Sequence, residues 1–210
     1  MTLALDLDAL APRDRYKLLT ALVIPRPVAW ITTLNADGSA NAAPFSFFNV
    51  FGSDPALVVL GLEHRADGVL KDTTANIRRT GEFVVNLATE ALLDDMVATA
   101  SAYSAGMSET AALGLGTAPS RQVSPPRLAA APVAIECRRL VGLSFSEERE
   151  LPVGQAVALA ARDGLIDPDR MHVDWAGDMP VARLFADRYA SLAELAPRPI
   201  PSLPAQGGTA

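Results

Sequence analysis

The stretch Val28 to Ala43, VAWITTLNADGSANAA, leaves little freedom in how this chain can begin to fold. Val28 to Leu34 is rich in β-branched and aromatic residues, Asn35-Ala36-Asp37-Gly38 is turn chemistry, and Ala40 to Ala43 returns, so the stretch reads as a β-hairpin. Pro25 and Pro27 force an extended entry into it, because each removes an amide donor and restricts the residue before it. Past the hairpin the pattern breaks. Phe45-Ser46-Phe47-Phe48-Asn49 is too aromatic for a solvated loop and too polar at Ser46 and Asn49 for a plain core strand. An apolar segment with a few placed polar groups is what a pocket for a flat aromatic ligand needs.

The remaining elements follow in order. Pro12 to Leu22 is a short helix candidate whose Tyr16, Leu19 and the adjoining Val23 could cover one face of a sheet. Pro55 to Leu62 is a continuous apolar run of strand length. Asp67 can cap a helix from Val69 to about Arg79, with Leu70, Thr73, Thr74 and Ile77 facing inward and Gly81 as the stop. Glu82 to Leu87 reads as a strand, and Thr89 as the cap of a helix from Glu90 to about Ala102 with Leu92, Leu93, Met96, Val97 and Ala100 on its apolar face. Residues 103–132 are Gly- and Pro-rich, with one short helical piece after Ser108; irregular segments of this length are more often lids or partner-covering elements than filler. Val133 to Val141 and Val153 to Asp163 resume strand character around a charged connection, Ser144 to Glu150, and Pro180 to Leu195 reads as a closing helix or mixed segment. Strands outnumber helices and come as antiparallel-style runs, so the expected architecture is mainly β with flanking helices, a β-barrel with helices at its margins. The expected organisation is one domain over residues 1–196, followed by a Pro/Gly-rich tail, 197–210, with the composition of disorder or of an arm laid on a neighbouring subunit.

Charge and composition remove several function classes. A net charge of −6 and a pI near 4.9, with no basic run, argue against a nucleic-acid surface. No apolar run is long enough to span a bilayer, and the first residues, with Asp6 and Asp8 among the leucines, do not read as a signal peptide, so no membrane association is expected. Cys137 is the only cysteine, which excludes an intrachain disulfide framework and fits a reducing cytoplasm; it reads as a small core hydrophobe or, as the alternative, a reactive thiol. His64 and His172 have no second ligand at metal-motif spacing, so no metal site is expected. Gly114-Leu115-Gly116 follows a helical piece rather than a strand and fails as a dinucleotide fingerprint, and no Gly-x-Ser-x-Gly elbow or P-loop occurs. No side-chain nucleophile or metal set stands out, and an enzyme of this sequence would borrow its chemistry from a bound cofactor, leaving no catalytic side chain to name.

Lys71-Asp72-Thr73 is the most suggestive triplet. A cation near a helix N-terminus is mildly unfavourable, by a few tenths to ~1 kcal/mol. An anion bound beside Lys71, the Thr73 hydroxyl and the helix end would reverse that sign. The alternative is a solvated surface lysine. Thr32 and Thr33 are good strand residues whose hydroxyls alternation sends to opposite faces, and Trp30 reads as a core or interface aromatic or a ligand contact.

Taken together, PRPVAWITT, ADGSANAAPFSFFN, RADGVLKDTTANI and TGEFVVN closely resemble the flavin reductase-like family of FMN-binding split-barrel proteins, which includes flavoredoxins and the reductase components of two-component monooxygenases. The resemblance is strongest over residues 19–86 and continues to about 192. It implies an FMN-binding split β-barrel, a homodimer, and FMN in a groove near the subunit interface. It also implies that Trp30, Thr32, Thr33, Ala43, Phe45, Ser46, Phe47, Phe48 and Asn49 flank the ribityl chain and ring; the backbone amides of residues 45–49 are then the candidates for dipoles near the N1 and O2 edge. Lys71, Asp72 and Thr73, with Arg65 and Asn76, would surround the phosphate. The family's Arg-Leu-Gly-Gly-like turn before a tyrosine is replaced here by Arg183-Leu184-Phe185-Ala186-Asp187-Arg188-Tyr189, without either glycine. The implied activity is hydride transfer from NAD(P)H to flavin, with electrons passed to a monooxygenase or other acceptor. The alternatives are an FMN-binding electron carrier reduced by a protein partner without nicotinamide, and a cofactor-free dimeric interaction module.

Overall fold

The computed structural model describes residues 2–64 and 69–201. The candidate ligand Arg65, the expected cap Asp67 and tail residues 202–210 lie outside them. Four helices are labelled: α1 (Pro12–Leu22), α2 (Asp72–Thr80), α3 (Leu93–Ala98) and α4 (Glu109–Ala112). Eight strands form the main sheet: β1 (Ala29–Leu34), β2 (Ala40–Phe45), β3 (Phe48–Ser53), β4 (Ala56–Leu60), β5 (Leu62–Glu63), β6 (Glu82–Leu87), β7 (Val133–Ser146) and β8 (Arg149–Ala161). Their order is β2-β1-β6-β7-β8-β4-β3, with β5 also pairing to β8, and every pairing is antiparallel. The mainly-β architecture with flanking helices is therefore what the residue pattern predicts. No helix among the described residues is long and apolar enough to cross a membrane.

The central strands are apolar on both faces because both faces are covered. Ala29, Ile31, Val58, Leu60, Phe83, Val85 and Cys137 form the barrel interior, into which Ile77 of α2 also packs. The alternate residues of β1 and β6 face outward onto other layers. Trp30 packs with Met96, Leu128 and Val181, and Val84 with Val123 and Ala134. Full burial of one such large side chain stabilises the fold by about 1.5–3 kcal/mol. Gly154 in β8 is fixed by this packing: a Cβ there would stand 2.6 Å from Cζ of Phe83. Cys137 is fully buried and desolvation raises its thiol to about 12, so it is a core hydrophobe rather than a reactive thiol.

The hairpin at residues 28–43 forms as expected, in register from Ala29 opposite Phe45 to Leu34 opposite Ala40. Several other elements differ from their sequence expectation. The helix expected from Val69 begins at Asp72, because Lys71 is extended (φ −67°, ψ 151°) and serves as N-cap; Gly81, at φ +71°, ends it as expected. The helix expected over 90–102 is a 3₁₀ turn, Glu90–Leu92, followed by α3, and the Thr89 side chain makes no cap bond. Thr99 Oγ1 donates to Met96 O (2.7 Å), competing with helix continuation, and Val97 and Ala100 are exposed rather than core-facing. The charged connection expected over 144–150 narrows to Glu147-Glu148 between two long strands. Glu150 is instead buried, accepting from Arg78 Nε (2.7 Å) and lying 3.5 Å from an Arg139 nitrogen.

Residues 180–195 contain no helix. Ala182–Arg183 pairs with Arg26–Pro27 and with Tyr189–Ala190 around a turn in which Ala186 adopts φ +57°. The left-handed backbone that glycine would favour is thus kept without glycine, and the Arg183 guanidinium donates to the Tyr189 hydroxyl and the Ala186 carbonyl. Helix α1 forms where expected, but Tyr16, Leu19 and Val23 remain largely exposed instead of covering a sheet face.

Candidate functional site

The polar groups of the Lys71 triplet converge on a pocket of about 610 Å³, where the start of α2 meets the edge strand β2 and the segment 99–109. Its volume suits a cofactor. Lys71 stands exposed at the N-cap of α2, which has no side-chain cap bond, so the amides of Asp72, Thr73 and Thr74 have no intrahelical acceptor. Thr73 is 2% exposed yet borders the pocket. Its Oγ1 accepts from Asn41 Nδ2 (3.0 Å), which leaves its own proton available to a ligand. A cationic amine, a hydroxyl donor and uncapped helix amides are a donor set for an anion such as a phosphate. Ala43, Pro44, Phe45 and Tyr103 supply apolar and aromatic surface beside it.

A buried amide network holds this arrangement from behind. Asn41 Nδ2 also donates to Thr33 Oγ1 (3.2 Å), and Asn76 Nδ2 donates to Thr33 Oγ1 (3.1 Å) and Asn35 Oδ1 (2.8 Å). Arg79 donates to Asn76 Oδ1 (3.2 Å) and to the Leu34 carbonyl. Thr33 and Asn76 therefore sit in the layer behind the pocket, where they fix Asn41 and through it Thr73.

The structure brings Ala43, Phe45, Lys71, Asp72 and Thr73 to one pocket and distributes the other expected residues elsewhere. Trp30 is buried, its Nε1 donating to Thr99 Oγ1 (3.0 Å), so it supports a pocket-lining residue from the core. Thr32 points to the opposite face and donates to Pro126 O (2.6 Å). Ser46 and Phe47 form the corner between β2 and β3. Phe47 lies edge-on to Tyr16 (ring centroids 6.2 Å) in an apolar cleft of about 590 Å³ that also takes in Leu19, Phe145 and Leu151. Phe48 and Asn49 border a third cavity, of about 330 Å³, with Val28, Ile135 and Val181. Among the described residues, no group of His, Cys, Asp and Glu is placed to hold a metal.

Asn41, Tyr103 and Glu109 line the pocket and were not singled out in the sequence. Asn41 carried a faint signal, an amide inside a strand of small residues, where Asn is disfavoured. Glu109 carried none, since an acid after a serine cap is ordinary first-turn chemistry. In the structure it is 6% exposed and its Oε2 accepts from Ala42 N (2.9 Å). Desolvation raises its pKa above the ordinary range, the nearby Asp72 charge adds to the rise, and the Ala42 amide opposes it.

A family model described as "Flavin reductase like domain" matches residues 21–177. The chain belongs to the flavin reductase-like family. Among solved structures, Pseudomonas fluorescens 2-nitrobenzoate 2-nitroreductase NbaA is 34% identical, with a TM-score of 0.87, covering 98% of this chain and 100% of that one. Nitrilotriacetate monooxygenase component B from Bacillus cereus is 30% identical with a TM-score of 0.88, covering 94% and 99%. A Shewanella frigidimarina protein described as a flavin reductase with split barrel domain, 21% identical with a TM-score of 0.79 over 92% and 96%, identifies the fold as a split barrel.

Proposed function

We propose that this member of the flavin reductase-like family binds FMN in the pocket at the start of α2 and works as an NAD(P)H-dependent flavin reductase-type oxidoreductase. The observation that carries the reading is that Lys71, Thr73 and the uncapped start of α2 border one pocket that also presents aromatic surface. Bound FMN would accept a hydride from the nicotinamide and pass the electrons to a monooxygenase or other acceptor.

The chain's own residues orient and anchor. Lys71 neutralises phosphate charge, and Thr73 donates one hydrogen bond whose direction is set by Asn41. Phe45 and Tyr103 supply apolar contact for a ring. The exposed apolar surface at Tyr16, Leu22, Val50, Phe51 and Phe145 supports a homodimer, and the buried lone cysteine is consistent with a cytoplasmic setting.

The visible spectrum of the purified protein, after incubation with excess FMN, tests the cofactor. A flavin absorption band that survives desalting is expected, and a colourless protein would overturn the reading. Anaerobic mixing of the holoprotein with NADH or NADPH then tests the donor: bleaching by at least one is expected, and no bleaching with either would point to an electron carrier reduced by a protein partner.

A further inference from the structure

Asp72 lies between the two groups best suited to hold phosphate, Lys71 and Thr73, where a second anion would oppose binding. Its carboxylate is already engaged: Oδ2 accepts from Gly106 N (3.0 Å), while the Gly106 carbonyl accepts from Asn35 Nδ2 (3.3 Å). The same segment is gripped again a few residues on. Ser108 Oγ and Thr110 Oγ1 both donate to Ala40 O (2.6 and 3.0 Å), and Glu109 Oε2 accepts from Ala42 N. Because β2 is an edge strand, its outward amide and carbonyl groups need partners, and three side chains of the 108–110 tripeptide supply them in place of another strand. Both contacts fall on the stretch that carries Tyr103 and Glu109 into the pocket wall.

We propose that Asp72 is a positioning residue: it holds residues 103–110 as the fixed wall of the pocket, jointly with the Ser108-Glu109-Thr110 clasp on β2, and does not touch the phosphate. This rests on the flavin reading for what the pocket binds, but the wall itself is a property of the chain alone. Asp72 and Lys71, adjacent in sequence, then serve opposite ends of the same task. One charge faces the ligand and the other faces the protein.

The test compares Asp72→Ala with Asp72→Asn, because the asparagine oxygen can still accept from Gly106 while the charge, and with it any benefit to the α2 dipole, is lost in both. In titrations with FMN and with riboflavin, Asp72→Ala is expected to weaken riboflavin by about five-fold or more, the effect of one lost hydrogen bond, and FMN by no more than that, since the anion near the phosphate is lost as well. Asp72→Asn should bind riboflavin within about two-fold of wild type and FMN as well or better, since an anion near the phosphate has gone. Amide hydrogen exchange in the ligand-free proteins gives the second readout. Residues 103–110 should exchange faster in Asp72→Ala and at the wild-type rate in Asp72→Asn.

Unchanged exchange in Asp72→Ala, or an asparagine variant that loses riboflavin as the alanine does, would overturn the proposal. Wild-type protein alone also decides it if the alanine variant does not fold: the Gly106 amide must exchange more slowly than those of Ser104 and Ala105, which have no acceptor among the described residues. Wild type that binds neither flavin would defeat the cofactor reading and leave the exchange result to judge the wall.

Discussion

Two cavities of nearly the same size, about 610 Å³ at the start of α2 and about 590 Å³ beside α1, differ in what their walls can do. The first collects an ammonium, a hydroxyl with a free proton, uncapped helix amides and a tyrosine ring. The second is walled mainly by Tyr16, Leu19, Phe47, Phe145 and Leu151; of its three charged groups, Glu150 is engaged by Arg78 and Arg149 by Glu63 (2.8 Å), which leaves, among the described residues, the single cation Arg15 with no second charged donor free beside it. Burial of apolar area is non-directional, whereas hydrogen bonds fix a ligand's orientation. Space alone therefore does not mark the site; convergent, unsatisfied donors do.

Several variants would break or sharpen that contrast. The largest effect is expected from Lys71→Ala, which should weaken FMN about tenfold or more by removing a charge-assisted contact. Riboflavin, lacking the phosphate, should change little in the same titration; equal losses would mean that Lys71 acts through the fold. Next comes Tyr103→Ala, which should weaken FMN and riboflavin together by a few-fold, about the worth of one aromatic contact.

Glu109→Gln tests the wall by thermal melts across pH. A carboxyl whose pKa is raised in the folded state contributes stability that is complete below its ordinary value of 4.5 and is lost as pH rises through the folded value. The glutamine variant keeps an acceptor for Ala42, so its advantage in Tm over wild type should widen from pH 4 toward neutrality; a constant gap would remove the desolvation argument. The smallest effect on flavin is expected from Phe47→Ala, whose affinity should stay within about two-fold of wild type if the apolar cleft is not the flavin seat. A large loss there would reverse the assignment of the two cavities.

Legibility in the sequence followed the range of the forces involved. The hairpin at 28–43, the stop at Gly81 and the strand 82–87 were readable because turn chemistry and side-chain alternation are local. The helix boundaries at Lys71 and Thr99 were not, since each depends on what a single residue's backbone or hydroxyl does in the finished packing. Pro180 to Leu195 reads as a closing helix or mixed segment, and in the structure pairing with Arg26–Pro27 takes the place of a helix. For the site, the triplet 71–73 was visible as a charge in the wrong place. Phe47, Phe48 and Asn49, grouped with Phe45 by the family resemblance, border two other cavities, because a strand corner sends neighbouring side chains in different directions. Asn41 and Glu109 act across more than thirty positions of chain, on Thr73 and Ala42 respectively, and no local pattern announces a partner so distant.

The thiol at the centre of the barrel makes the molecule its own stopwatch. As the chain's single sulfhydryl, walled in by Phe83 and its neighbours and held protonated far above neutral pH, Cys137 can meet an alkylating reagent only when the sheet around it comes apart. The rate at which a thiol probe labels this protein would then count openings of the whole barrel, without any engineered reporter, and a ligand that tightens the barrel would register as a slower clock.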